Sequence, residues 1–364
     1  MGGFEQKQQS IKTLLAHHGL DAILLRKASS FAWATHGASA YINTASSYGE
    51  AALLVTPNGR YLITNNIEAP RLEKEEGLKV QGWEFKVFPW YAGSAVIADL
   101  TAGLKLGADA PYPGAVDLNA EVARLRAHLT LDEQERFRTL GAICAEAMHE
   151  AIVSIEPGMT EEEIAATLAE STQSYGVQPI VNLIATDERI FNYRHPLPTT
   201  KELDKYAMLV LCGRWKGLVA SITRLVYFGK IPADLRRKID AVAHIDAVLI
   251  SATRPGRMLS EVFADGQKAY AETGFADEWM LHHQGGPAGY EPREWVATPE
   301  TQDVVLSGQA YAWNPSITGA KSEDTVLVDE LGWDVVTEIQ QWPMIEINLP
   351  DGTQLNRPDV MEIS

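Results

Sequence analysis

Apolar residues in the first third of the chain alternate between helical and strand-like spacing. Apolar positions three and four residues apart in residues 4–18, with Gly19 as a stop, predict a helix. The short apolar run 21–25 predicts a strand, and the segments 51–56 and 60–64 flank a Pro-Asn-Gly turn that is typical of a β-hairpin. Because such signals continue in alternation to about residue 127, we predict an α/β domain over residues 1–128.

The pattern changes near residue 130. Thr130 and Glu133 have the spacing of a capping box at the start of a long amphipathic helix, and Thr160 and Glu163 repeat it for the next helix. Helices and strands then come in separate runs, which predicts an α+β domain over residues 129–364. The predicted strands are 206–211 and 218–228, and the predicted helices are 235–253 and 260–273, followed by a strand-rich tail.

Charge and cysteine content restrict the class of protein. The chain has 364 residues, with 31 Lys and Arg against 48 Asp and Glu, a formal net charge of −17. A chain this acidic repels phosphate backbones and anionic lipid surfaces, so we expect neither a nucleic-acid nor a membrane partner. It has no apolar run of membrane-spanning length and no secretion-signal pattern at its start. Cys144 and Cys212 lie in apolar surroundings, as buried thiols of a reducing compartment do, so we expect a cytoplasmic protein.

Candidate chemistry begins with a histidine and an arginine in two polar segments. His195 precedes Pro196, which favours extended backbone, and its imidazole is suited to proton transfer near neutral pH. An ordinary loop histidine is the alternative interpretation. Arg224 follows Ser221 and Thr223 on the returning strand of a predicted hairpin, where it would either hold a substrate or form a structural salt bridge.

Two further segments bring a histidine pair and an acidic pair. His282 and His283 precede two glycines; on a strand they would point to opposite faces, so we expect one in a site, the other in packing, and no shared metal ion. Glu323 and Asp324 precede a predicted strand over 325–328. They fit either a solvated turn or a functional Glu323.

In this order, the four segments resemble the creatinase/prolidase/aminopeptidase P superfamily, which has the pita-bread fold. The resemblance covers most of the chain, and residues 30–33 match an early strand region of the creatinase-type amino-terminal domain. It implies a small α/β amino-terminal domain of the creatinase type, followed by a larger α+β pita-bread catalytic domain. It also implies a homodimer.

The resemblance also shows a departure at the metal site. Metallopeptidases of this superfamily hold two metal ions with two Asp, one His and two Glu. Matching the motifs places Val210, Ser221, Gly286 and Asn314 at four of these positions, and only Glu323 at the fifth. One carboxylate cannot bridge and neutralise two divalent ions, so we expect no metal ligand set and no other cofactor.

Creatinase, which has this fold, splits a carbon–nitrogen bond without metal. The resemblance therefore implies a metal-independent hydrolase that cleaves a C–N bond of a small amide, amidine or guanidino-type compound. His195 would be the general acid and base, with Glu323 and His282 as further catalytic residues. Creatine itself is a doubtful substrate, because creatinase has Glu and His where this chain has Asn314 and Glu323. The expected substrate-binding residues are Arg224, Asn314, His283, Phe31 and Trp33.

Two alternatives stay open. The first is a catalytically inactive pita-bread domain that binds a peptide or a small ligand. The second is an Xaa-Pro peptidase with an atypical metal site built from His195, His282 or His283, and Glu323, since three N or O ligands with an open position suffice for zinc. The sequence does not specify the substrate.

Overall fold

A computed structural model of the chain describes residues 3–92 and 95–364. The chain forms two compact units. One comprises the residues up to Ala127 together with Lys216–Leu218, and the other comprises His128–Trp215 and Val219–Ser364. We refer to them as the amino-terminal and the carboxy-terminal unit.

The amino-terminal unit is built on a six-stranded sheet in the order β4-β3-β2-β1-β5-β6. The neighbours of β2 run antiparallel to it, and the other pairs are parallel, so the sheet is mixed. This arrangement confirms the predicted α/β class. The strands are β1 (Ala22–Lys27), β2 (Tyr48–Val55), β3 (Arg60–Asn65), β4 (Glu84–Phe88), β5 (Leu106–Ala108) and β6 (Val116–Asp117). The helices are α1 (Gly3–His18), α2 (Ala28–Ala34), α3 (Ala69–Lys74), α4 (Ala95–Thr101) and α5 (Asn119–Ala127), with a 3-10 turn at Trp90–Ala92.

Residues 30–33, which we expected in a strand region, lie in helix α2. Every residue of α2 is buried, and the N–H of Thr35 closes the helix on the carbonyl of Phe31. The expectation rested on the resemblance. The residues themselves did not contradict it, because a short helix that is buried on all sides has no polar face that would distinguish it from a buried strand.

The carboxy-terminal unit has the predicted α+β composition. Its first two helices begin at the predicted capping boxes, in which Thr130 and Thr160 each exchange hydrogen bonds with the glutamate three positions later. The helices are α6 (Leu131–Ser154), α7 (Glu161–Ser174), α8 (Glu188–Asn192), α9 (Ala233–Ala252) and α10 (Leu259–Glu272), with a 3-10 turn at Glu278–Leu281. The strands are β7 (Gln178–Thr186), β8 (Tyr206–Trp215), β9 (Leu218–Phe228), β10 (Gly285–Ala288), β11 (Gln309–Trp313), β12 (Ser316–Ile317), β13 (Ala320–Lys321), β14 (Asp324–Asp329), β15 (Gly332–Val335), β16 (Met344–Asn348), β17 (Gln354–Pro358) and β18 (Met361–Ile363).

Two four-stranded sheets position the candidate site. One has the order β18-β9-β8-β7 and the other the order β10-β11-β14-β15. A single bridge between Thr223 of β9 and Glu323, just before β14, joins them. Helices α9 and α10 contribute to the hydrophobic core that also includes Val210 of β8 and Trp313 of β11. Side chains near this bridge therefore project from a rigid, well-packed base.

Two simpler expectations concern cysteines and membranes. Cys144 and Cys212 are both buried free thiols. Among the helices that the structure describes, none combines the length and apolar character needed to cross a bilayer.

Candidate functional site

Three imidazole rings from two separate segments come together in the carboxy-terminal unit. His195 Nε2 lies 3.0 Å from His282 Nε2, and the ring of His283 stacks on that of His282 with centroids 4.4 Å apart. The expectation that His282 and His283 point to opposite faces is wrong. Strand β10 begins only at Gly285, so the two histidines lie in irregular backbone after the 3-10 turn Glu278–Leu281 and are free of strand alternation.

An ion pair connects the two segments that carry the histidines. Arg194, the neighbour of His195, lies 2.5 Å from Glu278 and donates a 3.0 Å hydrogen bond to Thr318 Oγ1. The Thr318 N–H and hydroxyl also donate to Glu278. This contact holds the His195 loop against the turn that leads to His282.

Gln284 fixes the backbone at His282. Its side-chain amide donates to the carbonyl oxygens of His282 and Trp279, at 2.6 and 3.1 Å, and its side-chain oxygen accepts a 2.8 Å hydrogen bond from the buried Tyr270 hydroxyl. These bonds occupy both ends of the Gln284 side chain. This hydrogen-bonded network therefore holds the backbone of His282, from which its imidazole projects.

A buried acid holds two cationic side chains beside the histidines. Glu323 is only 2% exposed, and its carboxylate lies 2.8 Å from both Lys321 Nζ and an Arg293 guanidinium nitrogen. It also accepts a 2.5 Å hydrogen bond from Thr223 Oγ1, and Arg293 donates to Ser221 Oγ at 3.1 Å. Burial alone would raise the pKa of Glu323, but the two cations and these hydrogen bonds outweigh it and hold that pKa well below its ordinary value.

Sequence reasoning singled out Glu323 but missed Lys321 and Arg293. Lys321 lies two positions before Glu323, and in extended chain that spacing puts both side chains on one face, so a local signal existed. Arg293 lies 30 positions before Glu323, and no local pattern connects them.

The five positions that the resemblance assigns to metal ligands do not form a metal site here. Val210 is 3% exposed, belongs to the hydrophobic core and has no donor atom for a metal ion. Gly286 has φ +154°, and a Cβ atom there would come within 2.5 Å of the backbone oxygen of Trp295. The backbone itself therefore has no room for the family's histidine at this position.

The other three positions have lost the ligand function in different ways. Ser221 accepts the hydrogen bond from Arg293, and Glu323 has both carboxylate oxygens engaged by cations. Asn314 is buried, and its Oδ1 has no hydrogen-bond partner among the described residues, so it remains a candidate for contacting a ligand. Two divalent ions need bridging carboxylates, and this donor set does not fit them.

The three imidazoles are held in the neutral form. Burial and the charge of Lys321 lower the pKa of His195, against a smaller opposing effect of Glu323. The same causes, burial first, lower the pKa of His282 to about 2. Burial and a nearby cationic side chain lower the pKa of His283 to about 4. Near neutral pH, all three rings therefore offer lone pairs rather than positive charge.

A small cavity adjoins the histidines and the lysine. Its volume is only about 10 Å³, and its lining includes the polar residues His282, Lys321 and Ser316 and the apolar residues Ile190 and Met208. Ser316 Oγ is buried without a hydrogen-bond partner among the described residues. A space of this size holds about one water molecule, which these polar groups could hydrogen-bond.

Three residues predicted to bind substrate are buried and offer it no surface in this chain. Arg224 is 1% exposed and donates to Asp324 and to backbone carbonyls, including that of Thr337, so its role is structural and the substrate-binding expectation is corrected. Phe31 and Trp33 are fully buried in the amino-terminal unit, where their side chains offer no surface to a substrate within this chain. His195, His282, His283 and Glu323 are the predicted residues that the fold does bring together.

Residues 135–330, more than half of the chain, match the model of metallopeptidase family M24. Among curated proteins, an uncharacterized peptidase of Staphylococcus aureus strain MW2 is 20% identical over 234 residues. That alignment covers 62% of this chain and 66% of the length of the relative.

Solved structures show the same fold at low sequence identity. The prolidase from Pyrococcus horikoshii OT3 has a TM-score of 0.80 at 19% identity, covering 92% of this chain and 99% of its own. The Xaa-Pro dipeptidase from Bacillus anthracis has a TM-score of 0.79 at 18% identity, covering 99% and 100%. The N-terminal domain of FACT complex subunit SPT16 from Cicer arietinum has a TM-score of 0.71 at 13% identity, covering 93% and 97%. These likenesses confirm the predicted architecture, a creatinase-type amino-terminal domain followed by a pita-bread domain.

Proposed function

Because the chain belongs to metallopeptidase family M24, a family of hydrolases, we propose that it hydrolyses a C–N bond of a short peptide or small amide without a two-metal centre. The observation that carries the proposal is the contact of Lys321 and Arg293 with Glu323. Two fixed cationic groups thus contact the one residue here that has the residue type of the metal ligand the resemblance assigns to its position.

Lys321 and Arg293 would supply the positive charge that the reaction needs. Attack on an amide carbonyl places negative charge on its oxygen, and fixed donors in a desolvated site stabilise that charge strongly. Glu323 holds both cations in place, and all three side chains are largely buried, so little reorganisation is needed when the charge develops. This arrangement replaces Lewis-acid chemistry by preorganised hydrogen-bond donors.

His195 and His282 would move the protons. When His195 donates its Nε2–H to His282 Nε2, its Nδ1 keeps a lone pair that can accept a proton from the attacking water. The imidazolium that results can then protonate the leaving nitrogen as the C–N bond breaks. The lowered pKa of His195 keeps the ring ready to accept the first proton at neutral pH.

Among the C–N bonds considered from the sequence, the peptide bond before proline receives the most support. Two of the structural neighbours are a prolidase and an Xaa-Pro dipeptidase. Small amides and guanidino compounds are the next classes to examine. Asn314 and His283 would contact the substrate near the reacting centre.

The test is turnover by metal-stripped protein in chelator, on a panel of Xaa-Pro dipeptides, small amides and guanidino compounds. We expect hydrolysis under these conditions, and a loss of about 10²–10⁴-fold in kcat for His195→Ala, because that change removes the acid–base group. His17→Ala, an exposed histidine in α1, is the matched control and should leave the rate unchanged.

Three outcomes would contradict the proposal. Turnover that requires added Mn²⁺ or Co²⁺ would restore the metallopeptidase alternative, and unchanged turnover in His195→Ala would remove the proposed base. Tight binding of a panel member without any turnover would favour the inactive binding domain, a role compatible with the likeness to a domain of a FACT complex subunit.

A further inference from the structure

The imidazoles of His195, His282 and His283 form a cluster that differs from the family's metal centre in both position and chemistry. One ligand atom from each lies within 4.8 Å of the others, and the Nε2 atoms of His195 and His282 are 3.0 Å apart. Nitrogen donors of a tetrahedral zinc ion are about 3.3 Å apart, given Zn–N bonds of about 2.0–2.1 Å. Small side-chain rotations would therefore bring the three rings to the spacing of a three-nitrogen ligand set.

The surroundings leave ligand capacity unused at these rings. Nδ1 of His282 and Nδ1 of His283 are buried without a hydrogen-bond partner among the described residues, and unpartnered buried polar atoms are uncommon in folded proteins. His195 is exposed, on the loop after α8, so an ion has a route of entry. The three rings thus already lie close together. One of them is accessible to an ion, and the other two have buried nitrogen atoms without hydrogen-bond partners among the described residues.

The nearby charges select which ions could bind. Lys321 and Arg293 add positive charge, and the single acid Glu323 is already engaged by both. Hard ions such as Mg²⁺ and Mn²⁺ depend on carboxylate oxygens, which are not available here, whereas Zn²⁺, Ni²⁺ and Cu²⁺ bind well to neutral imidazole.

We propose that His195, His282 and His283 bind one transition-metal ion of the nitrogen-preferring class, with Zn²⁺ as the representative, and that this ion inhibits hydrolysis. Binding occupies the lone pairs of His195 and His282, which then cannot transfer protons. The inhibitory step rests on the proposed function, whereas the metal site does not depend on it.

Calorimetry on metal-stripped protein tests the site without any assay of activity. We expect Zn²⁺ to bind at about one ion per chain and Mn²⁺ to show no saturable binding. Since even the loss of a supporting residue weakens metal sites about 10–100-fold, His283→Ala should weaken Zn²⁺ binding by at least about tenfold, and His17→Ala should not change it. Equal Zn²⁺ affinity in wild type and His283→Ala, or no Zn²⁺ binding at all, would overturn the site.

Two further measurements test the site if the variant does not fold, and test the inhibition. If His283→Ala does not fold, His283→Gln and the visible absorption of bound Co²⁺ in the wild type replace it, and an absorption spectrum without nitrogen-ligated tetrahedral bands counts against the site. For inhibition, the rate is followed against free Zn²⁺, with each protein compared with its own metal-free rate. Inhibition should follow the calorimetric affinity in wild type and weaken with it in the variant.

The outcomes separate the two proposals. Zn²⁺ binding without inhibition overturns the inhibitory step and keeps the site. Zn²⁺-dependent activation overturns the metal-free hydrolase and keeps the site. A protein that turns over nothing on the panel refutes the proposed function, and calorimetry still decides whether the three histidines bind metal.

Discussion

Lys321 contributes to the protonation behaviour of two neighbouring histidines. Besides burial, its charge lowers the pKa of both His195 and His282. In Lys321→Met the pKa of His195 should rise toward its ordinary value of about 6.5. A general base works only when unprotonated, so the acid limb of kcat/KM should move to higher pH. The measurement is kcat/KM against pH, with the exposed Lys268→Met as control; a lower plateau with an unshifted limb would show that Lys321 does not act on His195.

In strand β10, the backbone around Gly286 leaves no room for the histidine that the family has at this position. Gly286 lies against the backbone of Trp295, so Gly286→Ala introduces both a steric contact and an unfavourable φ. We expect a loss of about 1–3 kcal/mol in the free energy of unfolding, typical of overpacking. Gly256→Ala is the matched control, because Gly256 has φ +91° but open space around its Cβ position. Denaturant unfolding of both variants measures the difference, and equal losses would show that contact with Trp295 is unimportant.

At the scale of the whole carboxy-terminal unit, four buried charged side chains form a group that is bonded to the segment carrying the site. Arg357 of β17 pairs with Asp246 of α9 and Asp324 of β14, and Asp324 in turn pairs with Arg224 of β9. Ser322 donates a 2.6 Å hydrogen bond to Asp246, which connects the group to the segment that carries Lys321 and Glu323.

Breaking this group should destabilise the protein strongly. Arg357→Met leaves two buried carboxylates with one cation, and the loss of one partner of a buried ion pair costs about 3–5 kcal/mol. Thermal unfolding should show a large fall in Tm for Arg357→Met, whereas Lys268→Met, which breaks an exposed pair with Glu272, should have little effect. Similar Tm values for the two variants would mean that the buried group contributes little.

Local sequence was sufficient for many of the elements, and the resemblance was sufficient to identify the positions that lack metal ligands. Thr130 and Thr160 begin helices as predicted, because the two partners of a capping box lie only three positions apart. The residue types at Val210, Gly286 and Asn314 exclude the family's ligand set in any conformation, since none of them can supply a carboxylate or imidazole. The motifs alone also identify His195 and Glu323 as candidate site residues, and their catalytic roles are proposals.

Only the tertiary structure decided which charged and polar groups meet. His195 and His282 are 87 positions apart, Arg293 and Glu323 are 30 apart, and Arg224 and Asp324 are 100 apart. Contacts of such separation depend on how the two sheets and the loops between them pack, and no local spacing encodes that packing. The stacking of His282 on its neighbour has the same origin, because it requires the chain to leave strand geometry just before β10. The chain's own residues thus lack the donor set that the resemblance assigns to a two-metal centre, and the fold determines which charged and polar groups meet around Glu323.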